Sequence, residues 1–300
     1  MNKCILAVGA HADDIEIHCG GTLFKYMDRD YRIVYVMSTN NMCGGKRIRQ
    51  PDGSWRKTSH YDAEETMAYR KAETGRAARH FNTDPIHLDH PQRHCQMRGP
   101  DGTLARTDVQ YGVALPPGVP ANVPTILTAH EHAPSVQRLA DLILEHAPEV
   151  VLSHGHAETN PEHHGSFLLT AKAYARAVKG GHRGNMLYWN THFSALGPRA
   201  GAWETWIDTD GHFESKIRAL QEHVSQYPPD FDHGADFWRT HDALQGQVCG
   251  VKMAEGFTFV NREIVDGPED GITAELIRNR AEGKPWGLDW ADLDPEGMYP

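Results

Sequence analysis

The sequence lacks most features that would place it in a specialised class. Its 300 residues include five cysteines, Cys4, Cys19, Cys43, Cys95 and Cys249, an odd number at wide spacing with no C-x-x-C. That excludes a disulfide framework and a zinc ribbon, and leaves free thiols in a reducing cytoplasm as the expectation. No run of about 18 apolar residues occurs, so no membrane span is expected. Positive charge is scarce: 30 Lys+Arg stand against 40 Asp+Glu, a formal net charge of -10. A non-specific nucleic-acid binder needs a basic face, and this balance argues against one. There is no internal repeat and no low-complexity tract. The G-x-S-x-G elbow, the P-loop and H-E-x-x-H are all missing, as is the P-C-x-x-C half of a zinc deaminase.

What remains is an ordinary globular composition, 39% hydrophobic and 23% charged, with length enough for one large or two medium domains. The unusual count is histidine, 20 in all. Histidine is the commonest metal ligand and the side chain that titrates nearest neutral pH. The count alone does not say which of them act.

Apolar runs alternate with helical patterns. Residues 4–10, 32–39, 85–89, 149–155 and 186–192 read as strands. Stretches from the first strand to about residue 29, and over 62–82, 135–146 and 162–179, read as helices. Such alternation predicts an α/β fold: a Rossmann-like, doubly wound, mostly parallel sheet with helices on both faces. The opening MNKCILAVGA is read as a buried strand and not as a signal peptide, because a cut near Ala12 would remove the motif that follows it. One domain is expected over 1–261, with long insertions at about 43–60 and 91–133. The insertions follow strands two and three, so they can overhang one end of the sheet; passive surface loops are the alternative. Residues 262–300 form an acidic, Pro/Gly-rich extension with Trp286 and Trp290. It is expected to wrap the surface or to contact a neighbouring subunit in a homo-oligomer.

The first strand runs directly into AHADD, residues 10–14. In an open α/β sheet, ligands bind beyond the carboxyl ends of the strands. His11 and Asp14, three apart, can be brought to one ion by a turn, with Asp13 beside them. The plainer reading is that these residues cap a helix N-terminus, where Asp is favoured. A second cluster, SHGHAETNPEHHGSF at 153–167, follows the fourth strand and carries His154, His156, His163 and His164. One of these with His11 and Asp14 would make the three-ligand set that catalytic zinc uses. Here too the plainer reading is a helix start with solvated histidines. His87, His90 and His94 read as a pocket rim or solvated loop, and Trp203 and Trp206 as core.

AHADDIEIHCGGTL resembles the AHPDDIEIGCGGTL signature of the PIG-L/LmbE-like de-N-acetylases, zinc-dependent N-acetylglucosaminyl deacetylases. YRKAET (69–74), NPEHH (160–164), WIDTDGHFESKIRALQEHVSQY (206–227) and AEGF (254–257) resemble further family segments in the same order. The resemblance implies a hydrolase that removes an N-acetyl group from an N-acylated sugar or glycoconjugate with Zn2+, or another divalent metal. By position, His11, Asp14 and His163 match the metal ligands and Asp13 the general base. Arg70 and Asp89 fall near substrate-binding positions. Three departures stand out. Ala12 replaces a proline. His18 replaces a glycine and is expected in or beside the pocket. Asn160 replaces the first histidine of the family's HPDH motif, and an amide cannot transfer a proton at neutral pH. His156, His164 or His223 are candidates for that role, His164 being nearest. The competing expectations are a zinc-dependent hydratase of an unsaturated dicarboxylate, which would gather Arg47, Arg49 and Arg70 in the pocket, and a non-catalytic zinc- or carbohydrate-binding protein.

Overall fold

The computed structural model describes residues 2–58, 61–109, 123–189, 203–229 and 232–282. Its strands are β1 (Asn2–Gly9), β2 (Arg32–Thr39), β3 (Lys46–Arg49), β4 (Trp55–Thr58), β5 (Ile86–His90), β6 (His94–Arg98), β7 (Leu104–Asp108), β8 (Pro148–Ser153), β9 (Asn185–Trp189), β10 (Thr205–Asp208) and β11 (Ala254–Phe259). The α-helices are α1 (Asp14–Met27), α2 (Ala63–Arg79), α3 (Ala133–His146), α4 (Pro161–Lys179), α5 (Phe213–Leu220), α6 (Asp232–Cys249) and α7 (Ile272–Glu282).

Seven strands form one sheet in the order β10-β11-β9-β8-β1-β2-β5. The run from β9 to β5 is parallel, while β11 lies antiparallel to both β9 and β10. The expected α/β, mostly parallel architecture is therefore present. Strand periodicity explains the two-sided core. On β1, Ile5 and Ala7 face Ile15, Cys19 and Leu23 of α1 and Ile272 and Leu276 of α7. Cys4, Leu6 and Val8 point the other way, among Leu139 and Ile143 of α3 and Phe167 and Ala173 of α4. A central strand covered on both faces needs an unbroken apolar run, which is what Cys4–Val8 supplies.

The expected strand at 186–192 is β9, which ends at Trp189; residues 190–192 lie outside the described residues. Each insertion holds an antiparallel hairpin, β3–β4 in the first and β6–β7 in the second. The segment after 261 supplies α7, whose Ile272 and Leu276 are fully buried in the core. Trp286 and Trp290 lie outside the described residues. No helix among the described residues is long and apolar enough to cross a membrane.

Segments far apart in sequence are tied together beside α1. Lys216 of α5, wholly buried, donates to Asp242 (2.6 Å) and Glu255 (2.8 Å). Glu255 of β11 also accepts the backbone N–H groups of Gly21 (2.9 Å) and Thr22 (2.7 Å). A Cβ at position 21 would stand 2.8 Å from the Thr209 Cβ, so the close approach requires glycine there.

Candidate active site at the carboxyl ends of β1 and β8

β1 sits at the sheet's switch point, with β2 on one side and β8 on the other. Chains leaving β1 and β8 diverge there, which opens a crevice. AHADD leaves β1 and SHGH leaves β8, so both motifs reach the same crevice. Asp13 takes a left-handed conformation (φ 113°) at the start of α1 and makes no side-chain cap hydrogen bond. Such a conformation costs a non-glycine residue of order 1–3 kcal/mol and persists only where the surroundings hold it. Here the Ala12 N–H donates to Asn41 Oδ1 (2.7 Å), the His11 N–H donates to Asp14 Oδ2 (2.6 Å), and Arg70 donates to the Ala12 carbonyl. The turn frees the Asp13 carboxylate for the cavity and directs Asp14 inward, so helix capping does not account for these residues.

His11 Nδ1 lies 3.0 Å from His163 Nε2 and 3.6 Å from Asp14 Oδ2, and His163 Nε2 lies 3.5 Å from Asp14 Oδ1. Donor atoms about 2.0–2.1 Å from a tetrahedral ion are separated by roughly 3.3 Å, so this triangle fits a small divalent metal. The remaining nitrogen of each imidazole meets a carboxylate: His11 Nε2 to Glu162 Oε2 at 2.7 Å, and His163 Nδ1 to Glu158 Oε2 at 3.2 Å. That arrangement fixes which nitrogen faces an ion. His154 completes the group, with Nδ1 3.4 Å from Glu158 Oε1 and Nε2 3.0 Å from Asp14 Oδ2.

The carboxylates differ in charge preference. Burial would raise the Asp14 carboxyl, but His163 and His154 beside it hold it well below the usual range. Glu162 and Glu158 are likewise buried, yet the histidines they contact bring each down to about 2. Burial disfavours a charged His11, but the Glu162 hydrogen bond and the neighbouring aspartates outweigh it and raise the imidazole. Asp13 goes the other way: burial pushes its carboxyl up, with Asp14 adding and Arg70 (3.5 Å) opposing. Its neighbour at position 14 thus stays ionised while Asp13 moves toward the range of a general base.

A cavity of about 580 Å³ opens over this group. His11, Asp13, Asp14, Asn160 and His163 line it together with Arg70. Asn160 caps α4, its Oδ1 accepting the Glu162 N–H at 3.0 Å. Arg70 is buried and serves the Asp13 turn and Glu73 (3.6 Å), which in turn accepts from Ser225 N–H and Oγ (2.7 Å each). It therefore positions the turn more than it offers itself to a ligand.

Four other expected residues are not brought to the cavity. His164 follows His163 on a helix, about 100° round the axis; its Nδ1 lies 3.0 Å from the His156 carbonyl oxygen. It faces away from the ligand set, which corrects its expected role in proton transfer. His18 is buried and stacks on Trp189, with centroids 5.5 Å apart. His223 is buried beneath the site, Nε2 3.2 Å from Glu16. Asp89 pairs with Lys71 (2.6 Å) outside the cavity. Sequence reasoning missed Glu158 and Glu162, although a carboxylate within five residues of a candidate histidine is a readable signal, while His154, one of the candidate cluster histidines, lies against Asp14 and Glu158. His94 lies on the wall, Nε2 3.0 Å from Cys43 Sγ.

The family model for GlcNAc-PI de-N-acetylase (PIG-L) matches residues 6–174, more than half of the chain. The chain belongs to the PIG-L family. Membership makes it an enzyme of the hydrolytic de-N-acetylase class, a metal-dependent group. Solved structures with the same fold include the N,N'-diacetylchitobiose deacetylase of Pyrococcus horikoshii, at 19% identity and TM-score 0.58 over 86% of this chain and 83% of that one. The 4-carboxy-2-hydroxymuconate hydratase of Pseudomonas putida aligns at 17% identity and TM-score 0.61, over 89% of this chain and 100% of that one. A zinc-inhibited teicoplanin deacetylase aligns at 14% identity and TM-score 0.53, over 87% and 100%. At these identities the likeness of this PIG-L chain to the three is one of fold.

Proposed function

We propose that this PIG-L chain is a zinc-dependent hydrolase that removes an N-acyl group from an amino-sugar-type substrate. The observation that carries the reading is the His11–Asp14–His163 triangle, with spacings of 3.0–3.6 Å and the destabilised carboxylate of Asp13 on the same cavity wall. A zinc ion held there supplies Lewis acidity, polarising an amide carbonyl and bringing the pKa of a water toward neutrality. Asp13 takes the proton of the attacking water. Burial favours its protonated form, so the same carboxyl can hand that proton to the leaving nitrogen. Asn160 Oδ1 is engaged by the Glu162 N–H, which leaves its amide N–H groups to donate to the oxyanion. Phe237, half exposed on the wall beside Tyr227 and the buried Trp238, offers an apolar surface for a sugar ring.

Hydration of an unsaturated dicarboxylate is the second reading, favoured by Arg47 and Arg70 on the cavity wall. Against it, Arg70 is engaged by the Asp13 turn and Glu73, and Arg49 does not line the cavity. A screen for free-amine release across N-acetylated sugars, with zinc supplied and with zinc chelated, separates the two. Zinc-dependent amine release is expected; no amine from any N-acyl compound, with water added to a dicarboxylate instead, overturns the hydrolase.

A further inference from the structure

We propose that Glu73 and Ser225 are positioning residues for the general base: together they hold the Arg70 guanidinium where it fixes the Ala12–Asp13 turn without closing on the Asp13 carboxylate. This deepens the hydrolase reading and rests on it only for the role of Asp13.

The guanidinium has two working sides. Nη2 donates to the Ala12 carbonyl and lies 3.5 Å from Asp13 Oδ1. Nη1 lies 3.6 Å from Glu73 Oε2 and 3.4 Å from Ser225 Oγ. A full hydrogen bond between a guanidinium and a carboxylate is about 2.7–2.9 Å long. Arg70 therefore stands between two carboxylates and closes on neither, while its bond to the Ala12 carbonyl ties it to the turn. Such a balance needs Glu73 to be held as well. Ser225 does so with two donors: its N–H to Glu73 Oε1 and its hydroxyl to Glu73 Oε2, 2.7 Å each. Arg70, Glu73 and Ser225 are all buried, where charges act with little screening by water. Released from Ser225, the Glu73 carboxylate is free to close on Nη1 and draw the guanidinium off the turn. Asp13, at φ 113°, depends on that support, because a residue in the left-handed region keeps its conformation only while its surroundings impose it.

Arg70 and Glu73 are three apart on α2 and so share one face. Ser225 arrives from far along the chain, in the segment that joins α5 to α6, and that segment is braced on either side of it. His223 Nε2 lies 3.2 Å from Glu16 of α1, which also accepts the Tyr35 hydroxyl (3.0 Å). Gln226 Nε2 donates to the Gly45 carbonyl (2.7 Å), and the Ser225 carbonyl accepts the Arg47 N–H (2.7 Å). Residues 223–226 thus tie α1, α2 and the first insertion to one another, and Ser225 passes that rigidity to the base through Glu73 and Arg70.

The test measures kcat and KM on an N-acetylated sugar with zinc in excess, for Ser225→Ala and Glu73→Gln alone and each combined with Asp13→Asn. Ser225→Ala keeps its backbone bond to Glu73, Glu73→Gln keeps the side chain's shape, and circular dichroism checks that each variant is folded. Each single substitution is expected to lower kcat about 10-fold with KM within about twofold of the parent, the cost of a hydrogen bond to a charged group. In the Asp13→Asn background the same substitutions should cost less than about twofold, because residues that act through one another are not additive. An equal loss in both backgrounds, full kcat in both variants, or a loss carried by KM, as a direct contact of Arg70 with substrate would give, overturns the clamp. A second arm reads hydrogen exchange in the metal-free chain. Exchange across residues 10–17 is expected to quicken about 10-fold in Glu73→Gln, with β2 unchanged. That result upholds the clamp even if no amide is cleaved, in which case the hydrolase reading alone falls. Cleavage of the sugar with exchange unchanged in both variants sinks the clamp alone.

Discussion

Replacing Glu158 by Gln tests how the proposed metal ligands are held. The carboxylate is wholly buried, with Oε2 3.2 Å from His163 Nδ1 and Oε1 3.4 Å from His154 Nδ1. It remains ionised despite burial, its pKa lowered to about 2 by these two imidazoles. While it accepts the Nδ1 proton of His163, the lone pair of Nε2 faces His11 and Asp14. A glutamine has the same shape but only one acceptor oxygen. It can serve one imidazole, and it meets the other N–H with its own N–H. Loss of such a carboxylate costs about 10- to 100-fold in metal affinity, or roughly 1.4–2.7 kcal/mol. The upper end is expected, because Glu158 also anchors His154, which lies 3.0 Å from Asp14. Zinc affinity near neutral pH, measured by chelator competition with circular dichroism as a check on folding, reads the effect. A folded Glu158→Gln variant within about threefold of the parent affinity would refute the reasoning.

Three further outcomes are expected. Asp13→Asn should keep its metal and lose about 10²- to 10⁴-fold in activity, the contribution of a general base; full activity sinks that assignment. Lys216→Met leaves Asp242 and Glu255 buried without their cation, which should cost about 3–5 kcal/mol in thermal unfolding; a loss under about 1 kcal/mol rejects the reasoning. His182 is buried, and burial followed by Arg183 lowers its pKa from 6.5 to about 4. Its folded pKa lies below its unfolded one, so as pH falls from 6.5 toward 4 the unfolded chain binds a proton that the folded chain refuses, and up to about 3 kcal/mol is lost. His182→Phe should flatten that slope in urea midpoints taken across the window, and parallel slopes for the two proteins would contradict it.

Periodicity made the parallel sheet legible. A central strand covered on both faces has to read as an apolar run, as Cys4–Val8 does. The antiparallel edge was not legible, since β10 and β11 are short and join only through pairing across 45 intervening residues. The hairpins in the two insertions were hidden for a related reason. Lys46–Arg49 and Trp55–Thr58 carry too little apolar alternation to announce a strand, and hairpin pairing with docking onto Ser225 and Gln226 holds them.

By itself the sequence determined that His11, Asp13 and Asp14 follow a buried first strand and that a histidine cluster follows a later one. In a doubly wound fold, that is enough to bring both clusters to one sheet edge. Only the tertiary structure decided which histidines face inward. Adjacent positions on a helix diverge by about 100°, so His163 joins His11 and Asp14 while His164 turns to the His156 carbonyl oxygen. It also decided that Glu158 and Glu162 hold the imidazoles, and that Arg47 and Lys57 face the cavity while Lys46 lies over the rings of Tyr61 and Tyr69. Such outcomes depend on rotation about a helix and on pairing register, which spacing along the chain constrains only after the partner strand and the packing face are known.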